Sequence, residues 1–110
     1  KSFRRSTKID LEHVTFLQAE ETMWTCKDIT MKNVNVRGDY FAKDSKNIVI
    51  ENMDLVGNYA FDGVENVEVN KSKILSKDAF WNSTNVTVKN SIVIGEYLGW
   101  NSKNLRFDNC

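Results

Sequence analysis

The feature that most constrains the fold is an internal repeat of 19 residues. Four full repeats and a partial fifth follow one another without a gap, starting at Lys27, Lys46, Glu65, Thr84 and Lys103. When the repeats are aligned, three columns contain only apolar residues: Ile29, Ile48, Val67, Val86 and Leu105; Met31, Ile50, Val69, Val88 and Phe107; and Val36, Leu55, Ile74 and Val93. The first two columns are two residues apart, which is the spacing of a half-buried β-strand.

The repeat also extends towards the start of the chain. Residues 19–26 align at the same spacing, whereas residues 9–16 align at a spacing of 20, which places one extra residue near Gln18. Residues 1–8 do not fit the pattern and are expected to form an N-terminal leader. Residues 9–110 are expected to form about five coils of a longer solenoid.

The repeat length excludes most other repeat folds. Helical repeats are about 33 residues long or longer. Hexapeptide solenoids need coil lengths that are multiples of six residues, and pentapeptide solenoids need multiples of five, but 19 is a multiple of neither. The sequence therefore predicts an all-β protein, a single-stranded right-handed parallel β-helix (β-solenoid) with 19-residue coils. Backbone hydrogen bonds would stack the coils about 4.8 Å apart.

The chain contains thirteen asparagines, and several of them lie at the predicted corners of the coils. One column contains Asn33, Asn52, Lys71, Asn90 and Asn109, with His13 at this position in the first coil. Asparagine tolerates the left-handed backbone of such a corner. We therefore predict a ladder of stacked side-chain amides that Lys71 interrupts. A second polar column precedes the first strand of each coil: Asp28, Asn47, Asn66, Asn85 and Asn104.

The third face of each coil contains two neighbouring apolar columns: Phe41, Ala60, Ala79 and Leu98, and beside them Ala42, Phe61, Phe80 and Gly99. Neighbouring residues on a flat strand point to opposite sides. This face is therefore expected to bend, with some aromatic side chains on the surface.

Four aromatic residues on this face, Tyr59, Tyr97, Trp81 and Trp100, recur at the coil spacing and are the predicted binding residues. If exposed, they would form a ladder of flat rings suited to stacking on sugar rings or on another protein's surface. The alternative is that Trp81 and Trp100 pack over the bent face as part of the core.

Two stretches of the sequence resemble known β-helix proteins. The run NVTVKNSIVIG, from Asn85 to Gly95, resembles the coils of the pectin-lyase-like right-handed β-helix superfamily. The stretch GEYLGWNSKNLRFDNC, from Gly95 to Cys110, resembles DUF3737, a bacterial family of unknown function. The resemblance covers the chain from about Ala19 to Cys110 and implies a right-handed single-stranded β-helix. It implies no catalytic residues, because the family has no assigned activity.

Charge and hydropathy limit the expected partners. Fifteen basic and fifteen acidic residues give a net charge of zero, which argues against a nucleic-acid or membrane-surface protein. No apolar run approaches the length of a membrane span. We expect a glycan or protein partner. Apolar side chains at residues 105–110 need a cover, so we also expect either end-to-end self-association through this end or continuation of the solenoid beyond it.

The sequence gives little indication of catalysis. Acidic residues mostly alternate with basic ones along the columns, whereas a metal site needs several oxygen ligands at one point. No metal, cofactor or catalytic residue is therefore expected, and His13 is interpreted as a corner residue. The predicted function is a non-catalytic binding scaffold. Two alternatives stay open: a carbohydrate-active enzyme, lyase-like or hydrolase-like, with its site outside or at the edge of these coils, and a purely structural assembly module.

The two cysteines, Cys26 and Cys110, fall on different faces of the predicted solenoid. Four or five coils, roughly 20 Å, separate them, which is too far for a disulfide. Two small buried thiols, and a chain start without the apolar core of a signal peptide, predict a cytoplasmic protein.

Overall fold

The computed structural model describes residues 3–110, which form eight strands and no helix. No helix among them could therefore cross a membrane. The strands are parallel and pair in the order β1-β2-β3-β4-β6-β8, with β5 pairing with β3 and β7. They make a parallel β-solenoid of about five turns, as the repeat predicts. The strand bounds are β1 Thr7–Phe16, β2 Lys27–Arg37, β3 Lys46–Val56, β4 Glu65–Asn70, β5 Lys73–Leu75, β6 Thr84–Lys89, β7 Ile92–Ile94 and β8 Lys103–Asp108.

The strand register follows the sequence repeat. From β2 onward, paired residues lie 19 positions apart, as in Ile29 opposite Ile48. Between β1 and β2 the spacing is 20, from Thr7 opposite Lys27 to Phe16 opposite Val36. The predicted extra residue in the first coil is therefore confirmed.

The first strand begins earlier than expected. β1 starts at Thr7, so the expected end of the leader at residue 8 lies inside a strand. Just before it, the amide of Arg5 donates to the carbonyl of Trp24, and the carbonyl of Ser6 accepts from the amide of Lys27. The inter-coil hydrogen bonding thus reaches back to Arg5, in the second half of the expected leader. Positions 1 and 2 lie outside the described residues.

The core lies inside the coils and consists of the predicted columns. Their members are buried except near the last coil, where Val93 and Leu105 are half-buried and Phe107 is 38% exposed. In the inner coils each apolar side chain packs between its equivalents one coil before and one coil after. This stacking gives the burial that one 19-residue coil could not achieve alone.

The predicted corner column has the expected left-handed backbone, with φ between 51° and 56° at Asn33, Asn52, Lys71, Asn90 and Asn109. The amide of Asn52 donates to Asn33 at 2.6 Å, and that of Asn109 donates to Asn90 at 2.8 Å. Between these pairs the ladder breaks at Lys71, and Asn90 donates instead to Asn70 at 3.2 Å. Both the ladder and its interruption are confirmed.

The second polar column forms a longer ladder, which was not predicted from the sequence. Amide hydrogen bonds of 2.8 to 3.2 Å run without a break along the column Asp28, Asn47, Asn66, Asn85 and Asn104. All five residues have positive φ. This column therefore marks a second left-handed corner.

The third face is an arc of turns, not a strand. In the arc after β2, φ is positive at every second residue: 60° at Tyr40, 63° at Ala42 and 55° at Asp44. The strict in-and-out alternation of an extended strand is lost, so Phe41 and Ala42 are both fully buried. Backbone bonds between coils continue through the arc, as from the amide of Phe61 to the carbonyl of Phe41. The predicted bend is confirmed.

The two cysteines are both free, but only Cys26 is buried, while Cys110 is exposed. The expectation of two buried thiols was wrong for Cys110. This residue follows β8, and no strand among the described residues lies beyond β8 to cover it.

Candidate functional site: an aromatic face

The outer surface of the arcs contains six aromatic side chains, which together we call the aromatic face: Trp24, Tyr40, Tyr59, Trp81, Tyr97 and Trp100. They belong to two columns of the repeat, three positions apart. The tyrosines share one column with Asp78, and the tryptophans share the other with Lys43 and Asp62. Tyr40, Tyr59 and Tyr97 all have φ between 53° and 60°, so their side chains leave the backbone in a similar direction.

Five of these rings form a continuous row along the solenoid axis. Trp24 meets Tyr40 edge-on at 6.4 Å between ring centroids, and Tyr40 stacks on Tyr59 at 4.8 Å with an interplanar angle of 10°. Tyr59 then meets Trp81 at 6.4 Å, and Trp81 meets Trp100 at 5.1 Å. Every coil therefore contributes one ring to the row.

Hydrogen bonds from two indoles fix the orientation of their rings. The indole Nε1 of Trp24 donates to the carbonyl oxygen of Tyr40 at 2.6 Å, and Nε1 of Trp81 donates to the carbonyl oxygen of Tyr97. Each bond joins an indole to the tyrosine of the following coil. Because these rings are already ordered, a ligand that stacked on them would lose little additional side-chain entropy.

The exposure of the rings differs along the face. Tyr97 is 72% exposed and Trp100 59%, whereas Tyr59 and Trp81 are half-buried. None of the four predicted binding residues is fully buried. The buried aromatic residues of the arcs are instead Phe41, Phe61 and Phe80, which contact one another inside the coils.

Charges are distributed unevenly along the aromatic face. At the Trp24 end, the Arg4 guanidinium lies 5.0 Å from the centre of the Trp24 ring, and the Lys43 ammonium lies 4.9 Å from it. These are cation–π distances. At the Trp81 end, the tryptophan and tyrosine columns contain the carboxylates of Asp62 and Asp78. The face is therefore cationic at one end and acidic at the other.

A third amide ladder lies beside the Trp81 end. Asn82 donates to Asp62 at 3.0 Å, and Asn101 donates to Asn82 at 2.7 Å. Both asparagines are exposed and follow Trp81 and Trp100 directly in the sequence. The edge of the aromatic face at this end thus has amide groups that can donate and accept hydrogen bonds.

Asp78 is the unusual member of the tyrosine column. It lies between Tyr59 and Tyr97 in the repeat, yet it is only 8% exposed. Its Oδ1 atom is shielded and has no hydrogen-bond partner among the described residues. Buried carboxylate oxygens normally have a partner. The sequence showed an acidic residue in an aromatic column, but it did not show that neighbouring side chains would cover it.

Two grooves lie elsewhere on the surface. One of about 460 Å³ crosses the first strands of the coils, and its only carboxylate is Glu68. The other, of about 440 Å³, is lined by His13, Asn33, Asn52 and Asp54, among others. His13 itself occupies the predicted corner, with φ of 55°. Glycoside hydrolysis usually needs two carboxylates at one bond, and each groove offers one.

Among residues 3–110, no group of three or more histidine, cysteine, aspartate or glutamate side chains could hold a metal ion. The aromatic face is the candidate functional site, because it combines an ordered row of rings with exposed amide groups at its edge.

Comparison with known proteins identifies the family. No curated protein and no solved structure matches the chain. The family model described as "Protein of unknown function (DUF3737)" matches residues 1–110. Because this match covers the whole sequence, the chain belongs to the DUF3737 family.

Proposed function

We propose that the aromatic face is a non-catalytic glycan-binding surface. The observation that carries the proposal is the continuous row of five rings, which ends at the exposed side chain of Trp100 beside Tyr97. Aromatic rings offer large, flat apolar surfaces at low entropic cost, and the C–H face of a pyranose ring is a flat apolar surface of similar size.

The dimensions of the row fit a linear oligosaccharide. Five coils at about 4.8 Å spacing place Trp24 and Trp100 roughly 19 Å apart along the axis. The whole molecule measures 27 × 21 × 19 Å, so the row runs along much of one side. The exposed amides of Asn82 and Asn101 lie beside Trp81 and Trp100 and are suited to bind sugar hydroxyl groups.

The narrow row favours a glycan over a protein partner. Stable protein interfaces bury roughly 800 Å² on each partner, usually as a broad patch with an apolar centre. Here each coil contributes one ring to the row, and polar or charged residues such as Asn82, Asp62 and Lys43 border it. This shape supports contact with one extended chain of sugar units.

We also infer that the solenoid shares the right-handed coil of the pectin-lyase-like superfamily. The resemblance of residues 85–95, the parallel coils and the asparagine-lined corners support this relationship. An experimental structure with left-handed coils would contradict it.

Calorimetric titration with neutral oligosaccharides of several linkages tests the glycan proposal. We expect at least one to bind with a dissociation constant of about 1 mM or tighter, and Trp100→Ala to weaken that binding about tenfold. Val49→Ala, which removes an exposed apolar side chain from β3, is the matched control and should not affect binding. The proposal fails if no oligosaccharide binds, or if Trp100→Ala binds as tightly as the wild type.

A further inference from the structure

We propose that the Trp81–Trp100 end of the aromatic face selects glycans that carry protonated amino groups, with the carboxylate of Asp78 as the counter-ion. This inference rests on the proposed glycan-binding function and adds the ligand class. It follows from comparing the two ends of the face, which have the same backbone geometry and opposite charges.

The Trp24 end shows what these rings bind within the protein itself. Arg4 and Lys43 both place their cationic groups about 5 Å from the Trp24 ring centre, where the negative face of the indole attracts them. Among the described residues, cation–π contacts occur only at Trp24 and Tyr40. Trp81 and Trp100 have no such partner within the described part of the chain.

The Trp81 end has carboxylates where the other end has cations or rings. In the tryptophan column, Asp62 occupies the position that Lys43 holds one coil earlier. In the tyrosine column, Asp78 takes the place of a tyrosine between Tyr59 and Tyr97, which lie two coils, or about 10 Å, apart along the axis. Asp78 is only 8% exposed, so its carboxylate lies beneath the surface of the face. Asp62 already accepts a hydrogen bond from Asn82, but Oδ1 of Asp78 has no partner within residues 3–110.

Rings and an unpartnered carboxylate together form a site for an ammonium group. The Trp81 ring lies 6.4 Å from Tyr59 and 5.1 Å from Trp100, and Trp81 follows Asp78 by three residues in the same coil. A carboxylate of Asp78 that turns outward would therefore emerge among these rings. Aromatic faces attract ammonium ions through their quadrupoles, and the carboxylate provides a charge-assisted hydrogen bond. Binding then includes a side-chain rotation, because Oδ1 is shielded in the free protein.

An amino sugar satisfies both parts of the site at once. Its ring can stack on Trp100, and its ammonium group, attached directly to that ring or to the next one, can reach the carboxylate of Asp78 when that side chain turns outward. A lysine side chain of a protein partner would pair with the carboxylate of Asp78 alone and would leave the rest of the row without a ligand. The continuous row therefore favours the amino sugar.

The decisive experiment compares β-1,4-linked oligosaccharides of glucosamine, N-acetylglucosamine and glucose of equal length, at a pH at which glucosamine is protonated. We expect the wild-type protein to bind the glucosamine oligomer about tenfold more tightly than the other two. Asp78→Asn should reduce this preference to about twofold or less. Asp10→Asn removes the same charge from an exposed position on β1, and this control should keep the full preference.

The outcomes separate the two proposals. Equal binding of all three sugars by the wild type would refute the selection of amino groups and leave glycan binding intact. An undiminished preference in folded Asp78→Asn would refute the role of Asp78. Failure of every sugar to bind would refute both proposals.

A competition experiment avoids any change in the protein. Tetramethylammonium chloride should weaken binding of the glucosamine oligomer to the wild type more than sodium chloride does at the same ionic strength. Equal effects of the two salts would contradict an ammonium site. Tighter binding of a lysine-rich peptide than of any sugar would also contradict the proposal and would point to a protein partner.

Discussion

At the scale of single residues, asparagine performs two tasks in this chain. Asparagine tolerates the left-handed backbone at the corners, and its side-chain amide bonds to the equivalent residue one coil away. A stacked amide group donates to one neighbour and accepts from the other. The corners therefore keep their hydrogen bonds although their side chains are exposed.

Substitution of Asn66 separates these two tasks. Asn66 has φ of 55°, donates to Asn47 and accepts from Asn85. We expect Asn66→Ala to lower the free energy of unfolding by about 1–3 kcal/mol, through backbone strain and lost hydrogen bonds. Asn66→Gly, which tolerates positive φ, should lose less. Urea unfolding measures both, and a larger loss in Asn66→Gly would contradict the strain argument.

Some properties of single residues could be predicted from this sequence and others could not. The ladder through Asn33 and Asn52 could be predicted, because asparagine at a corner has a known backbone preference. The isolation of Asp78 could not, because it depends on how surrounding side chains cover one carboxylate oxygen. The column shows which residues are equivalent, but not which of them are shielded.

At the scale of elements, the sequence predicts which side chains are buried more completely in the strands than in the arcs. Inward positions of the strands follow a two-residue spacing, so Ile48 and Ile50 were correctly predicted to be buried. In the arcs, positive φ at alternate residues buries neighbouring positions such as Ala60 and Phe61 together. Spacing alone could predict that the arc bends, but not which ring lies outside, because that depends on the backbone conformation of each residue.

Phe61 tests the packing of the arcs. It is fully buried, and its ring lies 6.0 Å from that of Phe41 and 5.1 Å from that of Phe80. We expect Phe61→Ala to cost about 3–5 kcal/mol, because it removes a large buried side chain and leaves a cavity. Phe3→Ala, at an exposed phenylalanine, should cost much less. Similar losses in thermal unfolding of the two variants would contradict the assignment of Phe61 to the core.

At the scale of the whole molecule, the last coil presents an open edge. Within residues 3–110, β8 pairs only with β6. Phe107 is exposed at this edge, as are Ile92 and Ile94 of β7. Apolar side chains beside an unpaired strand promote edge-to-edge association. We therefore propose that this chain, studied as residues 1–110, self-associates through the β8 edge.

Light scattering across a concentration series tests the association. The apparent mass of the wild type should rise with concentration, and Phe107→Lys should suppress the rise, because a charge at an edge opposes strand pairing. Val49→Lys, at an exposed position on a strand with a neighbour on each side, should associate like the wild type. A monomeric wild type at the highest concentration would refute this proposal.

The aromatic face depends on structure at all three scales. The repeat aligns its columns, the arcs turn its rings outward, and the stacked coils place the rings in one row.

Binding of a glycan to this face can be followed at each tryptophan. The chain contains three tryptophans, so an NMR spectrum resolves three indole N–H signals that single Trp→Phe variants can assign. On titration with the tightest-binding oligosaccharide, we expect the signals of Trp100 and Trp81 to shift. The signal of Trp24 should shift less than these two, because Arg4 and Lys43 already contact that ring and compete with a sugar for its face. A titration in which no indole signal moves, or in which Trp24 responds and Trp100 does not, would contradict the account.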